Sequence, residues 1–380
     1  MYKFSIFNKI RWFVLVLTIF NINTASAAFW KDAQYSGSYA LNSNGLLYIP
    51  SEYFYQKNLP VSAPFENVIN ISAVADNGQF LAATRNDGTV WVSGSYADKL
   101  FNQPRKTEGP FKYALSSARL AITPYVSHAY FLDQIKYKLY VIRSNGDLYA
   151  AQTLPVNGLT RVFWIRLMAN VRSVKTAREG NVVLALKADG SLWTNCLPNT
   201  PCPIGNTSLD INPTWSKLAD NVIDFEVHQQ DIGMHGVYIV TSDGVLRGKG
   251  SFTDFFPETI ETGQVYYYDW RELAHNVVSI KDFANDNGKY TVFLKTDHQD
   301  LLIAGNFLNE DETNPPQNPR ELTKTISNVE HVISPSKGNL GHAVVKQDGT
   351  IWVIGNFRKD GSDYFYPDWH QINPDQTPPN

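Results

Sequence analysis

The chain has 380 residues, 43% of them hydrophobic and only 18% charged, with 33 Lys+Arg against 36 Asp+Glu for a formal net charge of −3. A mildly acidic chain is a poor nucleic-acid binder, because neutralising phosphates requires a basic face. Abundant aromatics, 24 Gly and 20 Pro point to a β-rich, turn-rich protein, large enough for two ordinary domains or one repeat fold.

Residues 1–27 read as a secretory signal peptide. Lys3, Lys9 and Arg11 make a basic start, and Trp12 to Phe20 is almost wholly apolar. Ala25-Ser26-Ala27 then supplies the small-residue site that a signal peptidase cuts, before Ala28. The apolar run is shorter than the roughly 20 residues needed to cross a bilayer, which argues against a membrane anchor. No later segment is long and apolar enough to span a membrane. Loss of the three basic residues takes the formal charge from −3 to −6. The mature chain is expected outside the cytoplasm, periplasmic or secreted.

One phrase then recurs: an apolar strand, an Asp-Gly or Asn-Gly turn, and a second apolar strand with an aromatic. Its turns fall at Asn44-Gly45, Asp87-Gly88, Asn145-Gly146, Asp189-Gly190, Asp243-Gly244 and Asp348-Gly349, with a degenerate copy at Asp297-His298-Gln299-Asp300, making seven. Asp-Gly and Asn-Gly tolerate the positive φ that tight hairpins demand. The flanking strands are expected to alternate apolar and polar residues. A second phrase precedes most hairpins. Trp164 to Val171, Trp215 to Val222 and Trp270 to Val277 each run from a Trp-strand to Asn-Val, with echoes at Asn67-Val68 and Asn328-Val329. Each unit therefore reads as Trp-strand, turn, Val-Ile strand and hairpin. The turn glycines from Gly45 to Gly244 are 43, 58, 44 and 54 residues apart, a spacing that suits four-stranded propeller blades.

The expected fold is all-β: a seven-bladed β-propeller of four-stranded blades over residues 28–373, followed by a disordered tail, 374–380. The mature chain begins at a hairpin and ends on the Trp-strand around Trp369. N- and C-terminal strands sharing one blade would close the ring without an open sheet edge. Cys196 and Cys202 are the only cysteines. In an oxidising compartment they are expected to form one local disulfide, and with no nearby His they make a poor zinc site.

The order Asn-Val-x-x-Ile, apolar strand, Asp-Gly-x-Leu/Val-Trp and then Gly-Asn, as at Gly305-Asn306 and Gly355-Asn356, resembles the repeat of the regulator-of-chromosome-condensation (RCC1) family. The resemblance spans nearly the whole mature chain, although the family's Gly-Gln-Leu-Gly ending is missing. It implies architecture more than activity. The family's founding members are nuclear exchange factors for a small GTPase, a role at odds with a signal peptide. Exported bacterial members include an inhibitor that clasps β-lactamases with loops on one face.

Catalytic motifs are absent: there is no Gly-x-Ser-x-Gly elbow, no His-Glu-x-x-His and no phosphate-binding glycine loop. His228 and His235 are more simply a solvated strand-loop-strand than a metal pair, and Asp297 to Asp300 a decayed hairpin turn. No cofactor or metal is expected, and the protein is not expected to be an enzyme. Three segments read as loops of one face combine aromatics with carboxylates. The first carries Asp254, Phe255, Phe256, Tyr266, Tyr267 and Tyr268, the second Glu310, Asp311 and Glu312, the third Tyr364, Phe365 and Tyr366. Large anchors beside steering charge suit recognition of a protein, and equally the tyrosines could pack between blades. The expectation is a monomeric protein-binding propeller, an inhibitor or immunity partner of an envelope-active enzyme. A scaffold or carbohydrate-binding lectin, and a glycan-active lyase or hydrolase, are the alternatives.

Overall fold

The structure, a computed structural model, describes residues 34–36, 39–42, 45–48, 67–74, 80–101, 106–108, 111–122, 139–156, 159–177, 182–195, 215–230, 233–252, 265–284, 290–305, 323–333, 342–359 and 362–372. The expected signal peptide, the tail from 374 and both cysteines lie outside the described residues.

The described chain is strand apart from one short helix, and its strands pair only with strands close by in sequence. The first sheet joins β1 (Gln34–Ser36), β2 (Tyr39–Asn42) and β3 (Gly45–Tyr48). Six antiparallel sheets of four or five strands follow. The second holds β4 (Val68–Val74), β5 (Phe80–Arg85), β6 (Val90–Ser93), β7 (Thr107–Glu108) and β8 (Phe111–Leu115), with helix α1 (Ser95–Leu100) after β6. The third is β9 (Ala118–Ile122), β10 (Tyr140–Arg143), β11 (Leu148–Val156) and β12 (Leu159–Met168). The fourth is β13 (Val171–Ala177), β14 (Val182–Lys187), β15 (Leu192–Thr194) and β16 (Ser216–Ala219). The fifth is β17 (Val222–Gln230), β18 (Gly233–Thr241), β19 (Leu246–Phe252) and β20 (Val265–Ala274). The sixth is β21 (Val277–Ala284), β22 (Tyr290–Thr296), β23 (Leu301–Gly305) and β24 (Thr323–Ile326). The seventh is β25 (Val329–Ile333), β26 (His342–Lys346), β27 (Ile351–Lys359) and β28 (Ser362–Ile372).

This division shifts the repeat by one strand. The Trp-strand is the last strand of a sheet, and the Asn-Val phrase opens the next one. The hinge is the Asn itself: Asn67, Asn170, Asn221, Asn276 and Asn328, with Ser117 in the third sheet, all sit at φ near +60°. Asn tolerates that left-handed conformation better than most residues, and it turns the chain from the edge of one sheet into the next. The phase also bears on closure. The C-terminal Trp369 strand pairs with β27, its own hairpin partner, and the first sheet is built from N-terminal strands alone. Among the described residues, no strand pairing joins the two termini in one blade.

The core lies between the faces of successive sheets. Phe80, Val90 and Val92 pack on Ala118, Leu139 and Val141; Tyr140 and Ile142 on Val174 and Val183; Leu184 and Leu186 on Phe225 and Val237. The series continues with Tyr238 and Val240 on Val277 and Val292, then Phe293 and Leu301 on Val329 and Val344. The second strand of a sheet is covered on both sides, so β14 buries Val182, Val183, Leu184, Ala185 and Leu186 in succession. Alternation of apolar and polar residues therefore fails there, because the strand has no solvent face.

The hairpin turns join sheets as well as strands. The carbonyl of Gly88 accepts a hydrogen bond from the Ala118 amide at 2.8 Å, and those of Gly146, Gly190 and Gly244 accept from Val171, Val222 and Val277 at 2.8–2.9 Å. Gln299 takes the glycine's place in the sixth sheet. It holds φ +62° and accepts from the Val329 amide at 3.1 Å, so the degenerate copy is a working turn. The turn Asp is fixed by a relay: Asp87 Oδ1 accepts from the Thr89 amide and hydroxyl, and Thr89 Oγ1 accepts from the Trp91 indole at 2.8 Å. Asp189-Ser191-Trp193 and Asp348-Thr350-Trp352 repeat it. These bonds, the Thr89 hydroxyl first for Asp87, hold the Asp87 and Asp189 carboxyls below their usual range. Gly88→Ala is expected to cost about 1–2 kcal/mol, because its φ is +77° and a Cβ would sit 3.3 Å from the Ala118 carbonyl oxygen. Gln299→Gly should instead stabilise by about 0.5–1 kcal/mol by relieving the left-handed strain. Thermal unfolding of the two variants should move in opposite directions; a shared sign would refute the argument.

Candidate functional site

In each four-stranded sheet, the second-to-third turn and the link to the next sheet lie at one end, and the other connections at the opposite end. The Gly-to-Val bonds keep the turn ends of successive sheets together. The fold thus presents a turn face and a hairpin face.

On the hairpin face, three last-strand hairpins are long. β11 and β12 pair out to Val156↔Leu159, β19 and β20 to Phe252↔Val265, and β27 and β28 to Lys359↔Ser362. By contrast, β15 is three residues long. The aromatics read as loop residues belong to these hairpins. Tyr266 lies opposite Ser251 and Tyr267 opposite Gly250, with Tyr268 next in β20. Tyr364, Phe365 and Tyr366 lie opposite Phe357, Asn356 and Gly355. They are strand residues, not loop residues: β-branched and aromatic side chains favour the pleated ladder, and the partner strand is long enough to pair them. Tyr366 stacks on His370 with ring centroids 4.8 Å apart. Phe163, in the β11–β12 hairpin, is 40% exposed. Asp254, Phe255, Phe256, Glu310, Asp311 and Glu312 lie outside the described residues.

Next to the turn face, the first strands carry a feature that the sequence reading missed. In the second to seventh sheets, the first strand has a β-bulge directly after its first residue. In the second sheet the register passes from Val68 to Asn70, leaving Ile69 out of the ladder. The same shift singles out Arg119, Arg172, Ile223, Val278 and Glu330 in the five sheets that follow. The repeated signal was present as Asn-Val-x, with x free to vary.

Further along the first strands, three sheets meet in a charged cluster. Lys175 of β13 donates to Glu226 Oε2 of β17 at 2.9 Å and to the Phe225 carbonyl, and lies 3.9 Å from Asp224 Oδ1. Asp224 Oδ2 accepts from the Ile280 amide of β21 at 3.1 Å. Burial alone would lower the Lys175 ammonium, but Glu226 and Asp224 beside it hold it above its usual value. The Lys175 charge, with desolvation second, pulls Lys281 of β21 below its own. Lys175, Glu226 and Lys281 each stand five residues after a turn Asn, a register that aligning the repeats reveals. The cluster ties three sheets together. It is a structural set of ion pairs.

His228 lies in β17 opposite Gly236, while His298 is exposed in the sixth-sheet turn, 3.8 Å from Asp297. Among the described residues, no group of three or more His, Cys, Asp or Glu is placed to hold a metal ion. None of the described helices is long and apolar enough to cross a membrane.

Side-by-side antiparallel sheets, the second to the seventh tied in succession by their turns, define a β-propeller architecture. Its particular type is RCC1-like. The fold matches yeast RCC1 (Prp20) in its complex with Kap60, with a TM-score of 0.52 and 14% identity over 82% of this chain and 73% of that one. It also matches Prp20p from Saccharomyces cerevisiae, a structure described together with its binding to Gsp1p and histones, with a TM-score of 0.50 and 15% identity over 82% and 75% of the two chains. No family model matches the sequence, and no curated protein matches it.

Proposed function

We propose that this chain is an exported, non-enzymatic, seven-bladed propeller that binds a partner protein through its hairpin face and acts as an inhibitor or immunity partner of an envelope-active enzyme. The observation that carries the reading is the set of long hairpins at one end of the fold, which bear Phe163, Tyr266 to Tyr268 and Tyr364 to Tyr366. Aromatic anchors on rigid strands lose little conformational entropy on binding and dominate protein interfaces. Export rests on the signal-like residues 1–27. The blade count follows from taking the three-stranded first sheet, whose β1 and β2 pack against β4, as the first of seven blades. Yeast RCC1, to which the fold is similar, was solved bound to another protein, Kap60.

The test is capture from envelope extract with the chain beginning at Ala28, beside a variant with Tyr266, Tyr267 and Tyr268 changed to Ala and another with Glu310, Asp311 and Glu312 changed to Lys. A captured protein whose retention drops about tenfold or more in both variants supports the reading. Equal retention by all three chains, or retention on glycans instead of protein, overturns it.

A further inference from the structure

We propose that the arc of bulge residues beside the turn face is a second interaction surface, suited to a partner-protein segment in which carboxylates alternate with apolar side chains. A bulge places one residue outside the ladder and re-aims its side chain. Here the backbone device is repeated six times, while the residue it presents changes from Ile69 through Arg119, Arg172, Ile223 and Val278 to Glu330. The residue just before each bulge is a buried Val or Ala in five of the six sheets, Val68 being half-buried. The fold therefore dictates the neighbours and leaves the bulge residue free.

What the residues present is unusual for a surface. Large exposed hydrophobics among the described residues are Ile69, Phe163, Ile223 and Val278, and three of these four occupy the bulge position, at 45, 40 and 39% exposure. They flank two exposed arginines. Arg119 Nη2 donates to the Val171 and Arg172 carbonyls at 2.9 and 3.3 Å, and Arg172 Nη2 to the Ile223 carbonyl at 2.8 Å. Those bonds stake each guanidinium across to the next sheet while leaving its charge and most of its donors unused. Among the described residues neither arginine pairs with a carboxylate. In a chain whose net charge is −3, two adjacent uncompensated cations framed by apolar side chains complement an acidic, apolar segment. A nucleic acid would use the arginines but not the isoleucines, and the acidic chain disfavours it.

The proposal is tested by fluorescence anisotropy with the chain beginning at Ala28 and a short labelled peptide alternating aspartate and leucine. Peptides with lysine for aspartate, or serine for leucine, are the comparison. The aspartate-leucine peptide should bind best. Its affinity should fall about tenfold or more in Arg119→Glu/Arg172→Glu, and about fivefold in Ile223→Ser/Val278→Ser. The serine pair removes no side-chain hydrogen bond, so it reads the same surface if the arginine variant fails to fold. Changing Tyr266, Tyr267 and Tyr268 to Ala should leave binding unaltered, which separates this surface from the hairpin face. Equal binding of the lysine peptide, no binding of the aspartate-leucine peptide, or full binding by the serine pair would overturn the proposal.

Discussion

Glu226→Leu is expected to lower the unfolding free energy by about 2–4 kcal/mol, read as a fall of roughly 3–5 °C in Tm. Glu226 and Lys175 have side chains only 15% and 23% exposed, so their pairing is poorly screened by water. Removing the carboxylate leaves the Lys175 ammonium with Asp224 at 3.9 Å and with the like charge of Lys281. A half-desolvated charge left with only a distant carboxylate and a carbonyl costs more than the pair contributes, which gives the prediction a second arm. Lys175→Met/Glu226→Leu, which removes both charges, should recover most of the loss. Stability equal to wild type in the single variant, or a double variant worse than the single, would show that the cluster does not hold the sheets. The raised Lys175 pKa contributes stability that is complete below the unfolded value, near 10.4, and is lost as pH rises through the folded one. The comparison therefore belongs at neutral pH.

Acidification from pH 7 to pH 5 is expected to remove about 2 kcal/mol through His342 alone, from a total approaching 4–5 kcal/mol near pH 3. His342 opens β26, is 6% exposed, and meets the edge of Phe293 from the sixth sheet at 4.7 Å between ring centroids. Burial pushes its pKa down from 6.5 to about 3. The unfolded chain takes up a proton below pH 6.5 while the folded chain refuses it, so stability is complete above that pH and declines until the folded pKa is passed. Asp87 and Asp189, held below 3.8, add their own losses only at lower pH. Denaturant unfolding of His342→Gln should show a shallower decline between pH 7 and 5 than wild type. Parallel slopes would mean that another group governs the acid response.

The repeat, the strand count per unit and the Asp-Gly turns could be read from sequence because each depends on neighbouring residues. Gln299 shows the strength of that reading: the degenerate copy lost its glycine, yet its position predicted a turn and a turn is there. The phase of the unit could not be read, because Trp270 and Val277 are close in sequence whichever sheet each joins. What assigns them to different sheets is the left-handed Asn276 between them, a backbone state that composition does not display. The run Val265 to Tyr268 reads as loop because it lies between the hairpin phrase and the next Trp-strand phrase, although its β-branched and aromatic content favours a strand. The charged cluster was hidden for another reason. Lys175, Glu226 and Lys281 are about fifty residues apart, and only superposing the repeats brings them together. The bulges were least visible of all, since they exist only in the register between two strands.

The bond from turn carbonyl to the next first-strand amide has a consequence for how such a protein can change over time. It is made by backbone alone, so no side chain at the joint has to be kept, only residues that tolerate the required φ. A unit can drift in almost every side chain and still couple to its neighbour, or be duplicated and couple to its own copy. That tolerance accounts for an architecture shared with yeast RCC1 at 14% identity, and it frees each unit's remaining surface to diverge independently.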